Sequence, residues 1–451
     1  MGGGLMQLVA YGAQDVYLTG QPKVTFFQAV YKRHTNFAME NIQQTVNGTP
    51  TNGGRVSVTI ARNGDLVGNM YVALIPSGTL ATTSTNTLAP DTCWIAERAI
   101  ADIELTIGGQ RIDKHYQTWF RLYAEVFLGE SDKINYGKLT SSSVPPDNAT
   151  NKTYVYLPLL FFFNRNPGLY LPLIALQYHE VRLDFDLTSY YSSYFGSNAL
   201  EVWANYVYLD TEERRRFAQK GHEYLIEQVQ HTGGDAISAV NSTIRLSFNH
   251  PVKELIWCYA NTTASANNSL WNFSTSCANV QVSVSSNAFT CIGAMPHAIG
   301  APRLSANIVA LNGQSLLSNT AGGVYWFEEG SSNSWAPLAQ SGGLEVGPLQ
   351  TFKVILNGQD RFKEQIGKYF NQYVPLVYHT GTPYVGIYVY SFALQPEEHQ
   401  PTGTCNFSRI DNAQVAVNLK SNYTTPLQKM FAVNYNILRI QSGMGGLAFS
   451  N

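Results

Sequence analysis

Charge is what this sequence has least of. Acidic and basic residues make up 13 % of its 451 residues, about half of the ~25 % usual in soluble domains. The surface must therefore be covered largely by Asn, Gln, Ser, Thr and Gly. Such a surface suits burial between subunits, because few charges would have to lose water. The formal net charge is −2 and basic residues never form a long run, whereas nucleic-acid binding needs a concentrated positive footprint. The densest basic cluster, Arg214-Arg215-Arg216, follows Glu212-Glu213 and reads as a solvated connector, so no direct nucleic-acid contact is expected. Five scattered cysteines (Cys93, Cys258, Cys277, Cys291, Cys405) form no C-x-x-C and require neither an oxidising compartment nor zinc. The opening MGGGLMQLVAYGAQDVYLTG lacks the basic segment and apolar core of a signal peptide. No run approaches the ~18 apolar residues of a membrane helix. Met6 stands where a myristoylation motif beginning at Gly2 needs Ser or Thr. A soluble product of the cytoplasm is expected.

Catalytic signatures are missing too. The nine histidines never fall at metal-ligand spacing, and His179-Glu180 and His222-Glu223 lack the second histidine of H-E-x-x-H. There is no G-x-x-x-x-G-K-[ST] and no G-x-S-x-G, and the glycines of SGMGGLAFS (442–450) have no lysine beside them. Asp184 and Asp186 lie two apart on a strand-like run, hence on one face about 6.5–7 Å apart, which is the polar side of an ordinary strand and not a glycosidase pair. No cofactor, metal or catalytic group is expected. Asn148, Asn151, Asn261, Asn272 and Asn422 stand in Asn-x-Ser/Thr sequons, which an Asn- and Thr-rich chain generates by chance; they are candidate glycosylation sites only.

What is present is β-strand pattern. Val181, Leu183, Phe185 and Leu187 alternate with Arg182, Asp184 and Asp186, and Val415, Val417 and Leu419 alternate with polar neighbours, the period of two that puts one face on a core. Similar short runs recur, separated by Asn63-Gly64, Asn166-Pro167-Gly168, Asn312-Gly313 and Asn357-Gly358. Many short strands with such turn chemistry indicate sandwiches. At this length two domains are the default.

The pattern occurs twice. GGQRIDKHYQTWFRLY (108–123) aligns without a gap with GQDRFKEQIGKYFNQY (358–373), with Arg111/Arg361, Phe120/Phe370 and Tyr123/Tyr373 identical. Ile112, Tyr116, Trp119, Phe120 and Tyr123 fall in step with Phe362, Ile366, Tyr369, Phe370 and Tyr373, and each set reads as one helical stripe beside a sheet. Each follows a strand-like run and a glycine turn, and precedes an aromatic-rich strand and then an alternating strand. A further pairing sets VTIARNGDLVGNMYVAL (58–74) against IRLSFNHPVKELIWCYA (244–260). The shared order predicts a duplicated domain. The charged stretch 209–225 is the expected connector, and 261–350 a long Asn-, Ser-, Ala- and Gly-rich insertion of functional character.

Longer strings carry a resemblance. LVAYGAQDVYLTG (8–20), TFFQAVYKRHTNFAMENIQQT (25–45), IGGQRIDKHYQTWF (107–120), FFFNRNPGLYLPLIALQYHEV (161–181), LNGQDRF (356–362), QPTGTCNFSRIDNA (400–413) and NYNILRIQSGMGGLAF (434–449) resemble the major capsid protein of large icosahedral nucleocytoplasmic double-stranded DNA viruses, the algal-virus or chlorovirus type in particular. The resemblance implies an all-β chain of two consecutive eight-stranded jelly-roll β-sandwiches, a double jelly roll, with short helices in the loops. Its parts are an N-terminal base segment (1–25), a first jelly roll (26–212), a linker (213–224) and a second jelly roll (225–451) with the insertion in a loop. It further implies a homotrimeric capsomer that contacts neighbouring capsomers and minor capsid and penton proteins. Such a capsomer sits in the outer shell of a virion, near an inner viral membrane, after assembly in the host cell cytoplasm. The insertion departs most from the resemblance. A different function remains open, a surface glycan-binding β-sandwich module in which Trp271 and Phe273, or Tyr325 and Trp326, form an aromatic platform.

Overall fold

The structure is a computed structural model. It describes residues 3–10, 12–16, 20–29, 31–76, 94–140, 154–196, 200–237, 241–261, 347–381, 386–420 and 426–449, together with Phe273, residue 383 and five short strands between 282 and 337. Met1–Phe37 form one compact unit and Ala38–Asn451 the other. In the first unit Gly3–Val9 is helical, with Leu5, Met6, Leu8 and Val9 exposed. Leu5, Leu8 and Val9 follow i, i+3, i+4 spacing, but two turns are too few to stand out as a helical pattern.

Sixteen principal strands build the rest. The first set is β1 (Phe37–Gln44), β2 (Arg55–Thr59), β3 (Leu66–Leu74), β4 (Ile100–Ile107), β5 (Gln110–Tyr116), β6 (Val155–Pro158), β7 (Val181–Leu187) and β8 (Glu201–Leu209). The second set is β9 (His222–Ala236), β10 (Asn241–Leu246), β11 (Pro251–Asn261), β12 (Leu349–Leu356), β13 (Gln359–Asp360), β14 (Ile387–Ser391), β15 (Ala413–Leu419) and β16 (Pro426–Gln441). Sheet 1 runs β1-β8-β3-β6 and sheet 2 runs β2-β7-β4-β5; sheet 3 runs β9-β16-β11-β14 and sheet 4 runs β10-β15-β12-β13. The second order is the first with eight added to every number. Each pair of four-stranded sheets has jelly-roll topology, so the fold is a double jelly roll. Shorter strands extend the sheets at matching places: Leu171–Pro172 pairs with β3, and Cys405–Asn406 with β11.

The duplication reaches single residues. Val67 and Met70 both point into the first sandwich, three apart across an irregularity in the β3–β8 pairing. Val252 and Leu255 do the same in the second sandwich, across the register shift in β11. An extra residue of this kind bends a strand and re-aims its side chains. Both copies retain it.

Two details of the repeat differ from the sequence reading. The stretch 108–123 is not one helix: Ile112 and Tyr116 lie on β5, and helix α1 spans only Gln117–Phe127. In the second copy Phe362 sits in a bend, Ile366 in the short strand Gln365–Ile366, and Tyr369–Tyr373 form a π-helical turn that runs into α3 (Val374–Tyr378). A spacing of four satisfies a period of two as well as one of 3.6, so Ile112 and Tyr116 fit either pattern. The gapless alignment also slips. Gln110 and Gln359 both follow the tight turns, opposite Ile107 and Leu356, whereas Tyr116 and Ile366 stand opposite Asp102 and Thr351. The offset is thus 249 residues at the turn and 250 at the helix; the register shift in the β4–β5 pairing separates the two. Likewise Val58 matches Ile244 before the next turn and Val67 matches Val252 after it, one residue out of step with a gapless pairing.

Between the two sets lies helix α2 (Thr211–Gln219), no residue of which is buried. Residues 222–224, read as connector, already belong to β9. Arg214 ties α2 to the first lobe through a 2.8 Å ion pair with the buried Asp65.

Sheets 2 and 4 explain the alternating strands. Val56, Val58, Ile103, Leu105, Leu183 and Phe185 are buried in the first sandwich. The opposite face is charged and paired: Arg55–Asp186 at 2.6 Å, Lys114–Asp102 at 3.1 Å and Arg182–Asp184 at 2.7 Å. Asp184 and Asp186 are therefore committed to arginines on an outer sheet face.

Candidate functional site

Sheet 3 is buried on both faces. Leu255, Trp257 and Tyr259 of β11 point into the second sandwich, with Tyr388, Met430 and Ala432 of the neighbouring strands. The alternate residues Ile256, Cys258, Ile387, Val389, Phe431 and Val433 belong to one continuous buried cluster with the core of the first lobe. This explains why runs such as ELIWCYA are apolar at every position; a strand covered on both faces has no water-facing set.

Strand β5 and helix α1 of the first lobe together cover sheet 3. Phe431 stacks on His231 at 4.2 Å between ring centres and meets Trp119 at 5.7 Å and Tyr116 at 6.1 Å. Tyr116 also meets His231 at 5.0 Å. Lys429 Nζ donates to Thr118 Oγ1 at 3.1 Å, Val229 N–H donates to Asp113 Oδ1 at 3.0 Å, and Gln228 Nε2 donates to Ile112 O. A Cβ added at Gly381 would lie 2.4 Å from Val126 O, so the second lobe approaches the end of α1 backbone to backbone. Thr380 Oγ1 donates to Phe127 O at 3.3 Å beside it.

Charged groups line the same seam. Glu227 on β9 is held by Lys253 at 2.8 Å and by Arg165 of the first lobe at 3.1 Å, with His399 at 3.7 Å. Burial raises the Glu227 carboxyl, but His399, Lys253 and Arg165 outweigh it and leave it lowered. His379 lies between Glu254 (3.1 Å) and Glu397 (3.3 Å), its ring edge-on to Phe127. Burial pushes His379 down, yet the two carboxylates win and raise it to about 9.

The repeat residues divide by lobe. Trp119 and Phe120 are buried and Tyr116 and Tyr123 half-buried; Ile112, on β5, is buried. In the second lobe Phe370 is buried, edge-on to Phe352 and tilted against Trp257 and Phe362, whereas Ile366 and Tyr373 are exposed and Tyr369 half-buried. The counterpart of the covered sheet 3 face is also open. Tyr71, Tyr156 and Trp203 stand partly exposed on the outer face of sheet 1, with Tyr71 edge-on to Tyr156 at 5.5 Å and Met39 exposed beside them. Sequence reasoning passed over this face. Its signal was available: YVALI, VYLP and VWANYVYL carry aromatic or apolar residues at both parities, as the sheet 3 strands do.

Other candidates fall elsewhere. Asn148, Asn151, Asn272 and Asn422, and Trp271, lie outside the described residues, and Asn261 ends β11 opposite Pro426. Tyr325 and Trp326 form a two-residue strand against Ala336–Pro337. Phe273 is buried in the shared core and cannot serve a sugar-binding platform. Among the described residues no cluster of three or more His, Cys, Asp or Glu is arranged to hold a metal, and no helix is long and apolar enough to cross a membrane.

Comparison with known proteins places this geometry. Residues 25–210 match the family model for the major capsid protein N-terminus, and residues 213–446 match that for the large eukaryotic DNA virus major capsid protein. The chain is 42 % identical to the major capsid protein of Paramecium bursaria Chlorella virus 1 and 39 % identical to that of Phaeocystis pouchetii virus, each over all of both chains. It superimposes on a chain of the quasi-atomic PBCV-1 virus capsid with a TM-score of 0.69 at 38 % identity, covering 95 % of this chain and 100 % of that one. The Faustovirus major capsid protein shares the fold, with a TM-score of 0.62 at 13 % identity over 96 % of this chain and 94 % of that one. With both sandwiches matched from end to end, the chain belongs to the major capsid protein family of large eukaryotic DNA viruses and builds the capsid of a virion.

Proposed function

We propose that three copies of this chain close into a ring whose six similar sandwiches give a hexagonal outline, and that such capsomers tile the shell. The observation that carries this reading is an asymmetry between equivalent surfaces. The outer face of sheet 3 is covered by the first lobe, while the outer face of sheet 1 presents Tyr71, Tyr156 and Trp203 partly exposed. A chain that covers one such face internally and leaves its counterpart open is a head-to-tail unit, and head-to-tail units close into rings when the rotation permits. Obligate interfaces bury about 2,000–5,000 Å²; at ~25 cal/mol per Å² of apolar area the gross gain exceeds the cost of association.

Contacts between capsomers use more polar surface, such as the paired charges on the outer face of sheet 2. Weaker contacts let a misplaced capsomer leave before the shell locks. The start of β4 lies beside the end of β5, so the connection before β4 and the one holding α1 leave the same end of the sandwich. The corresponding end of the second lobe carries the insertion, which we assign to the outer tops. The N-terminal residues belong to the base, where minor capsid and penton proteins and, beyond them, the inner viral membrane are the neighbours. No contact with nucleic acid is part of this reading, and assembly takes place in the host cytoplasm. The role is structural, not catalytic; the engagement of Asp184 and Asp186 by arginines supports this.

Native mass measurement tests the trimer, with three chains of 49.9 kDa expected per particle. A single-chain mass at micromolar concentration would contradict it. Deleting residues 1–20 is expected to leave that mass unchanged relative to the truncated chain while impairing shell assembly. Loss of the trimer itself would remove the base assignment.

A further inference from the structure

We infer that residues 369–378 of one copy seat on the outer face of sheet 1 of a second copy, repeating between chains the contact that α1 makes with sheet 3 within one. The inference rests on the trimer reading and adds the residues that meet. Strand register supplies the correspondence. Ile256 stands opposite Phe431 and Val389 in sheet 3, as Tyr71 stands opposite Trp203 and Pro158 in sheet 1. One step along, Cys258 stands opposite Lys429 and Ile387, as Ala73 stands opposite Glu201 and Tyr156. The shared irregularity at Val67/Met70 and Val252/Leu255 fixes this frame, since a shift by one residue would exchange the faces.

The helical side corresponds equally. Tyr116 and Ile366 hold the same place beside Asp102 and Thr351, so Thr118 corresponds to Lys368, Trp119 to Tyr369 and Tyr123 to Tyr373. The internal contact of Trp119 with Phe431 then becomes Tyr369 with Trp203. The internal bond from Lys429 to Thr118 becomes a pair between Glu201 and Lys368. An acid thus faces a base where the internal version has a base facing a hydroxyl, which is complementarity between chains.

The exposed surface agrees. Ile366, at the end of a short strand, and Tyr373, Leu376 and Val377, on the helical segment that follows, are 58 %, 54 %, 81 % and 52 % exposed. In the first lobe the corresponding stretch is covered by the second: Tyr116 and Trp119 by His231 and Phe431 of sheet 3, and Val126 and Phe127 by Gly381 and His379. Among the described residues the exposed side chains of the second lobe meet no comparable sheet face. Apolar clusters of this kind mark interaction sites, and among the described residues the surface of matching topology is the aromatic face of sheet 1.

Three sets of variants of the full chain test this by native mass and by the guanidinium concentration at which trimers separate. Tyr373→Asp with Leu376→Asp is expected to give single chains whose own unfolding is unchanged, because both positions are exposed. Lys368→Glu and Glu201→Lys are each expected to weaken the trimer at least tenfold, and the two together to restore it to within about threefold of wild type. A wild-type trimer that survives the double Asp variant, or a swap that does not restore, overturns this inference and leaves the trimer standing. A wild-type chain that never trimerises overturns the reading beneath it.

Discussion

Replacing Phe431 by alanine is expected to destabilise the chain by about 3–5 kcal/mol, the range for removing a fully buried aromatic side chain. Phe431 is 0 % exposed and sits where four rings converge from both lobes, those of Tyr116, Trp119 and His231 and its own. Helix α1 beside it is itself anchored by the buried Phe120 and Leu122, which limits collapse into the space. The same cluster makes a second expectation. Because the first-lobe core continues through Ile256, Val389 and Phe431, the lobes share apolar contacts that neither can keep alone. Denaturant unfolding followed by tryptophan fluorescence and by circular dichroism should give coincident transitions, both shifted by the substitution. Two separated transitions, with only one moved, would show that the seam is a docking surface between independent folding units.

Alkaline pH is expected to loosen the same seam. The unfolded-state histidine has a pKa near 6.5, whereas His379 between Glu254 and Glu397 is raised to about 9. Its contribution is therefore complete below about 6.5 and is lost as pH rises through about 9, a difference of about 3 kcal/mol. The acid limb has the opposite sign. Glu227 is lowered from 4.5, so its contribution is present above that value and disappears as pH falls. Equilibrium unfolding at a series of pH values should show the alkaline loss in the native chain. His379→Gln should be less stable at neutral pH, with Glu254 left without its cation, and should lack the alkaline limb. A wild-type chain equally stable at pH 6.5 and about 9.5 would refute the role given to His379.

Sequence patterns revealed the sheets with one wet face. Strand β7 buries Val181, Leu183, Phe185 and Leu187 and holds Arg182, Asp184 and Asp186 in ion pairs, so its alternation of apolar and charged residues is a direct image of its surroundings. Sheet 3 was harder to interpret. Leu255, Ile256, Trp257, Cys258 and Tyr259 are all buried, and a continuous apolar run does not say what lies on its second face. The same ambiguity hid the outer face of sheet 1, where Tyr71, Tyr156 and Trp203 look like core residues until the sandwich assigns them outward. Repeats were detectable because the order of elements survives duplication, but the residue-by-residue alignment broke at a register shift and at one turn, each a change of a single residue. The helical stripe begins at Ile112 in the sequence, five residues ahead of Gln117 where α1 starts, because β5 ends in an apolar spacing that fits both periods.

In the proposed capsomer one contact is used twice, once inside the chain and once between chains. A density map of the assembled capsomer at side-chain resolution tests it most directly. It should show Tyr369 and Tyr373 of each copy lying over Trp203 and Tyr71 of the next, three times around the ring. Density with the sheet 1 aromatics facing solvent, and the ring closed through other surfaces, would contradict it.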